Sequence, residues 1–174
     1  MNLIETDRLI LRAWKAEDLP LFAKMNRDAR VMHYFPSTLS DEQTESFYNR
    51  IQSEFERNGW GLYAVELKSN GTFIGYVGQH EIGFDTDFTP GVEIGWRLDA
   101  DYHNQGLATE AAKEVLKLAK KKGLPRLYSF TAKQNSPSER VMQKIGMTKA
   151  GEFEHPSLSA DSPLRTHVLY QIDL

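Results

Sequence analysis

The chain has 174 residues, 40% of them hydrophobic and 26% charged, with a formal net charge of −3 and no cysteine. That length suits one domain, residues 1–174, with a substantial core, and the balance is that of an ordinary globular protein. The mild negative charge argues against a nucleic-acid-binding surface, and the absence of cysteine removes disulfides, thiolate zinc sites and acyl-cysteine chemistry together.

The N-terminus carries Glu5 and Asp7 where a signal peptide needs an apolar run. No stretch approaches the ~18 apolar residues of a membrane span, so the expected location is cytoplasmic, with no membrane partner. Leu9, Leu11 and Ala13 alternate with Arg8, Ile10 and Arg12, which predicts a first strand. Glu17 and Asp18 begin a short amphipathic helix through Leu19, Leu21, Phe22 and Met25. A second helix starts at Asp41, where Ser40 and Gln43 supply capping chemistry, and stops at Asn58-Gly59. Strands are predicted over 62–67 and 73–80, joined by the hairpin turn Ser69-Asn70-Gly71.

Residues 83–91 read as an exposed loop, followed by a strand over 92–98 and a helix over 107–122. That helix keeps Leu107, Ala108, Ala111, Ala112, Val115, Leu116 and Ala119 on one face and ends in Lys120-Lys121-Lys122-Gly123. A strand over 127–131 and a helix over 136–144 follow, then strands over 148–153 and 167–172. No repeat, linker or second domain is visible. The pattern gives a mixed α/β sheet in one layer with helices on its faces.

The most informative segment is the start of the helix at 107. A helix beginning on Gly106, Leu107, Ala108 and Thr109 leaves those amides without intrahelical partners. The amides and the positive end of the helix dipole can hold a phosphate, and the small side chains let a bulky anion approach. An ordinary strand-to-helix turn is the competing reading.

The surrounding residues resemble the acyl-CoA pyrophosphate loop of the GNAT N-acetyltransferase superfamily, Arg/Gln-x-x-Gly-x-Gly/Ala. Here it reads His103-Asn104-Gln105-Gly106-Leu107-Ala108, departing at the first position, and continues Thr109-Glu110-Ala111. Asn135-Ser136-Pro137-Ser138, with Ile145-Gly146-Met147 downstream, resembles the family's Asn-x-x-Ser segment. The opening Glu5-Thr6-Asp7-Arg8-Leu9-Ile10-Leu11-Arg12 is similar to the branch of ribosomal-protein serine/alanine N-terminal-amine acetyltransferases. The resemblance implies a mostly antiparallel sheet of about six to seven strands, splayed between the fourth and fifth.

It also implies acetyl-CoA as cosubstrate, no metal, and an amine acceptor. The loop Gly106 to Thr109 would hold the pyrophosphate with Gln105 as a helper. Pantetheine would lie along the backbone of Trp96, Arg97 and Leu98. Gly95 within a strand suggests a bulge or a close backbone approach, and a bulge would free an amide to polarise the thioester carbonyl. Glu93 occupies a position where family members place a catalytic carboxylate; a solvated or cation-paired glutamate is the alternative. His80 ranks below it as a base, and His103 reads as a loop residue near phosphate.

Ser138 would sit near the departing thiolate. The competing reading makes Ser136-Pro137-Ser138-Glu139 a capping box with proline at the first helical position. The tyrosine acid of many relatives is replaced here by Met142. Asn135 would bond backbone or pantetheine amides, or only end the strand. Tyr34, Phe35, Trp60, Phe84 and Phe88 are candidates for shaping the acceptor pocket or for plain packing, with Phe88 foremost. Asp85 and Asp87 beside it would favour a cationic acceptor.

The expected activity is therefore acetyl transfer to a primary amine by direct attack in a ternary complex, with a peptide N-terminal amine first. A polyamine, amino acid or aminoglycoside acceptor is the alternative, and a non-catalytic acyl-CoA-binding module is the reading from another class. A serine hydrolase lacks its Gly-x-Ser-x-Gly elbow, and nucleotide-binding glycine motifs are missing. Monomer and homodimer are both compatible with exposed strand edges.

Overall fold

In the computed structural model, which describes residues 4–174, eight strands form one sheet in the order β1-β2-β3-β4-β5-β6-β8-β7. Strands β1 (Ile4–Glu5), β2 (Leu9–Arg12), β3 (Leu62–Leu67), β4 (Phe73–Glu81) and β5 (Val92–Leu98) are antiparallel neighbours in sequence order. Strands β6 (Arg126–Ala132), β7 (Thr148–Glu154) and β8 (Thr166–Asp173) form the other part, with β8 inserted between β6 and β7. The seven expected strands are all present; the eighth is the two-residue β1.

Two apolar layers cover the sheet. On one face α3 (Leu107–Lys121) and α4 (Ser136–Lys144) bury Ile74, Val77, Ile94 and Leu98. On the other, α1 (Asp18–Asn26) and α2 (Asp41–Asn58) close over Leu62, Ala64, Phe73 and Tyr76. Alternation along β5 follows from the strand's period of two: Ile94 and Leu98 enter the α3 core, while Glu93, Gly95 and Arg97 look to the other face.

Local chemistry explains the helix ends. Ser40 and Gln43 form the expected capping box of α2, and Gly59 closes that helix in the left-handed conformation. The start of α4 corrects the sequence reading. Its cap is Asn135, whose side chain accepts from the Ser138 amide at 3.3 Å, so Ser136 is the first helical residue and Pro137 the second. An asparagine carbonyl reaches the amide three residues on as well as a serine hydroxyl does, and it lies one position earlier.

A second correction concerns Gly95. The β4–β5 ladder runs without a register shift from Glu81 opposite Val92 to Gly75 opposite Leu98. Gly95 therefore sits in regular strand, and the irregularity lies between β3 and β4, at Val65/Glu66. What frees backbone on β5 is its other edge. β5 and β6 run parallel and pair only where Glu93 faces Tyr128, so the strands part beyond that point.

Candidate active site

The split between β5 and β6 opens into a cleft of ≈ 1840 Å³ that crosses the sheet from the α3–α4 side to the α2 side. All of Glu93, Trp96, Arg97, Leu98, Gln105, Gly106, Leu107, Ala108, Thr109, Asn135 and Ser138 line it. Residues up to 45 positions apart in sequence thus reach one space, because the splay places the end of β5 between the starts of α3 and α4.

At the α3 end the chemistry is that of backbone. Gly106 takes φ +76°, which an L side chain enters at a cost, and no side chain caps the first turn. α1 also lacks a side-chain cap, but α3 is the one of the two that starts on the cleft. Leu107 is buried in the core, so it offers the cleft its amide and not its side chain. Gln105 departs from its expected role: its side chain donates to the Asp101 carbonyl at 3.0 Å. His103 donates from Nε2 to the Leu98 carbonyl, 2.8 Å away, and so ties the loop to the end of β5.

Two of the sequence motifs prove to be one structural unit. The Arg8 guanidinium pairs with Glu110 at 2.8 Å and donates to the Gln105 carbonyl at 2.9 Å. The same carboxylate accepts from the Thr6 hydroxyl at 2.5 Å and the Arg8 amide at 2.9 Å. Partial burial would raise the Glu110 pKa, but these donors outweigh it and hold the carboxyl below its usual range. β1–β2 is thereby clasped to the first turn of α3.

In the middle of the cleft the Trp96 indole donates to the Ser138 hydroxyl across a long 3.3 Å bond, bridging β5 and α4. Asn135, besides capping α4, donates to the Thr131 hydroxyl at 2.9 Å. Gly95 forms open floor, since a Cβ there would meet nothing within 4 Å.

Beyond Gly95 stand Glu93 and His80, which the sequence reading set against each other as candidate bases. They face each other across the β4–β5 ladder, His80 Nε2 lying 2.7 Å from Glu93 Oε1. Burial alone would lower the His80 pKa; the hydrogen bond and charge of Glu93, with Glu54 nearby, reverse this and hold it above the ordinary value. The far wall is aromatic: Phe84, Phe130, His155 and His167 all line the cleft, with the two histidine rings 4.9 Å apart. Burial, then the neighbouring His167, pushes His155 down to about 4. Burial also lowers His167, against the opposing pull of the Arg165 carbonyl, Glu93 and Glu154.

Of the loop aromatics, Tyr34, Phe35 and Phe84 line the cleft, and Trp60 and Phe88 do not. Phe88 packs against Tyr128 and Phe153 at 5.3 and 5.1 Å, and Trp60 lies away from the cleft lining. Asp85 and Asp87 are exposed and do not line it either. An apolar ring in a polar loop gains most by covering the sheet, and it leaves the acidic residues between in solvent. The sequence reading missed Phe130, His155 and His167, which only the β6–β8–β7 pairing brings together.

Comparison with known proteins places this architecture. The acetyltransferase (GNAT family) from Bacillus anthracis superposes with a TM-score of 0.81 at 27% identity, covering 99% of this chain and 98% of that one. RimL, the ribosomal L7/L12 α-N-protein acetyltransferase solved in complex with coenzyme A, shares the fold at 15% identity and a TM-score of 0.79, covering 99% and 98%. In sequence, the uncharacterized N-acetyltransferase YnaD of Bacillus subtilis (strain 168) is 29% identical over 153 residues, 87% of this chain and 85% of its own length. The class is thus that of the acyltransferases. The profile of the acetyltransferase (GNAT) domain matches residues 8–148, and the chain belongs to that family. Among the described residues no helix is long and apolar enough to cross a membrane.

Proposed function

We propose that this acetyltransferase moves an acetyl group from acetyl-CoA to a primary amine by direct attack, with a peptide N-terminal amine as the first acceptor class and the cytoplasm as its location. One observation carries the reading. The uncapped first turn of α3 opens onto a cleft that also holds an unpaired strand edge and an acid–imidazole pair.

Bound acetyl-CoA would supply the acetyl group as an activated thioester. The amides of Gly106 to Thr109 fit a pyrophosphate, because four donors and the helix dipole converge there with no side chain in competition. The freed edge of Trp96, Arg97 and Leu98 fits an amide-bearing chain laid alongside it as a further strand. Glu93 takes the proton that the acceptor ammonium must lose; a peptide α-amine titrates near ~8 and a lysine near ~10.4, so the α-amine asks less of the base. His80 holds Glu93 in place and keeps its charge balanced. Ser138, whose oxygen already accepts from Trp96, is free to donate its proton's hydrogen bond to the departing sulfur. A small-molecule amine is the second reading. Of its members, the unpaired guanidinium groups at the α2 end of the cleft favour an amino acid, whose carboxylate they attract, over the polycationic polyamines and aminoglycosides.

Free-thiol release from acetyl-CoA, measured over N-terminal Ser and Ala peptides, amino acids, spermidine and aminoglycosides, tests the proposal. Release with one class establishes the reaction and its acceptor. Silence with a thermal shift by acetyl-CoA would leave a binding module, and silence with no shift would overturn the cosubstrate assignment.

A further inference from the structure

The α2 end of the cleft holds two guanidinium groups with no anion to meet them. Arg97 projects from β5 on the face of Glu93 and Gly95, and its carbon Cζ lies 4.7 Å from the Phe35 ring centroid, 5.4 Å from Tyr76 and 5.6 Å from Phe47. Arg50 of α2 reaches the same Phe47 ring at 5.2 Å. Both line the cleft. Neither pairs with a carboxylate of the described residues, whereas Arg30 beside them is held by Asp28 at 2.7 Å. Glu42 and Glu45 also line this end without reaching either group.

The Arg97 head is fixed rather than mobile. One terminal nitrogen donates to Asn26 Oδ1 at 3.0 Å, and Asn26 donates in turn to the Thr44 hydroxyl at 3.2 Å, both of these residues being fully buried. Its Nε is buried without a hydrogen-bond partner. A guanidinium held by aromatic faces and one neutral carbonyl keeps its charge uncompensated, and a second like charge over the same ring adds to the imbalance. Such a pair has its natural complement in an oxyanion, which a planar guanidinium meets with two parallel bonds.

We infer that Arg97 and Arg50 form a carboxylate subsite, so that the acceptor carries a carboxylate as well as its primary amine. This rests on the amine-acetylation reading and narrows it. Glu93 and Arg97 are four residues apart on one strand face, about 13 Å along β5 at a rise of ~3.3 Å per residue. The open floor at Gly95 lies between them. The amine end therefore sits toward Glu93 and the carboxylate toward Arg97. A free amino acid and an N-terminus with an acidic side chain both present this chemistry.

The test compares matched acceptors: alanine against alaninamide, and an amidated Ala-Glu peptide against its Ala-Gln counterpart. The carboxylate-bearing member of at least one pair is expected to have the higher kcat/KM by about tenfold or more, through KM. Which pair shows it identifies the source of the carboxylate. In R97Q and R50Q that ratio falls toward one, and in R50Q, which lies outside the cofactor-binding edge, acetyl-CoA still raises the melting temperature. The ratio is insensitive to the amount of folded enzyme, and exposed Arg50 gives a variant with little structural burden should R97Q fail to fold. A wild-type ratio of one in both pairs, or a ratio that survives in both variants, overturns the subsite. If no amine is acetylated, the broader proposal fails separately. The subsite is then read by thermal shift of the CoA-saturated protein with N-acetylalanine and N-acetylalaninamide. A larger shift by the acid, lost in R50Q, upholds it, and equal shifts overturn it.

Discussion

The two ends of the cleft are built from different parts of the chain's chemistry. At the α3 end the available groups are main-chain amides of consecutive residues, Gly106 to Thr109, held by one left-handed glycine and clasped from outside by Arg8 and Glu110. At the α2 end they are side chains from distant segments: Asn26, Phe47, Arg50, Tyr76, His80, Glu93 and Arg97. A helix start has one geometry whatever its sequence neighbours, so the first end suits a ligand shared by a whole family. The second can change one residue at a time without disturbing the backbone, which suits a ligand that differs between relatives.

The sharpest break in that comparison is Glu93→Gln. Turnover should fall about 100-fold or more, as for loss of a positioned base, while acetyl-CoA affinity stays unchanged. The His80 pKa should drop, since Glu93 is what holds it up, and NMR titration reads this directly. Unchanged turnover at every pH would remove Glu93 from the role of base. The wild-type pair also sets a sign for stability. A raised His80 pKa contributes stability below about pH 6.5, lost as pH climbs through the folded-state value.

Gly106→Asp acts on the other end. A carboxylate at the mouth of α3 opposes phosphate and should weaken acetyl-CoA by about 30-fold or more, with thermal shift as the readout. Undiminished affinity would sink the anchor assignment. Asn135→Ala should cost about 1 kcal/mol of stability through loss of the α4 cap, measured by denaturant unfolding. Ser138→Ala leaves that cap intact and should lower turnover by less than about tenfold. If it changes neither rate nor CoA affinity, Ser138 is only a first-turn residue.

The smallest effect is a pH slope at the aromatic wall. The His155 pKa is pushed down to about 4, so the unfolded chain binds a proton before the folded one. Stability should therefore decline as pH falls from about 6.5 toward 4, and His155→Gln should flatten that part of the melting curve. A slope identical in wild type and variant would assign the effect elsewhere.

Much of this molecule is written in short stretches of sequence. Ser40 and Gln43 mark the start of α2, Gly59 its end, and Gly106 with its small neighbours marks α3, because capping and left-handed turns depend on residues within one helical turn. The cap of α4 is less legible, because Asn135 and Ser136 are both cap-forming residues at adjacent positions and the asparagine takes the role. Tertiary structure alone decided the rest. The strand order β6-β8-β7 is what gathers Phe130, His155 and His167. The unbroken register of β4 and β5 turns His80 and Glu93 from rivals into a pair, and the parting of β5 from β6 does the work expected of a bulge at Gly95. Packing of α1 and α2 over β4 leaves Arg97 caged without an anion. Each of these depends on which strand lies beside which, a choice made by burial of the whole apolar pattern and not by any local run of residues.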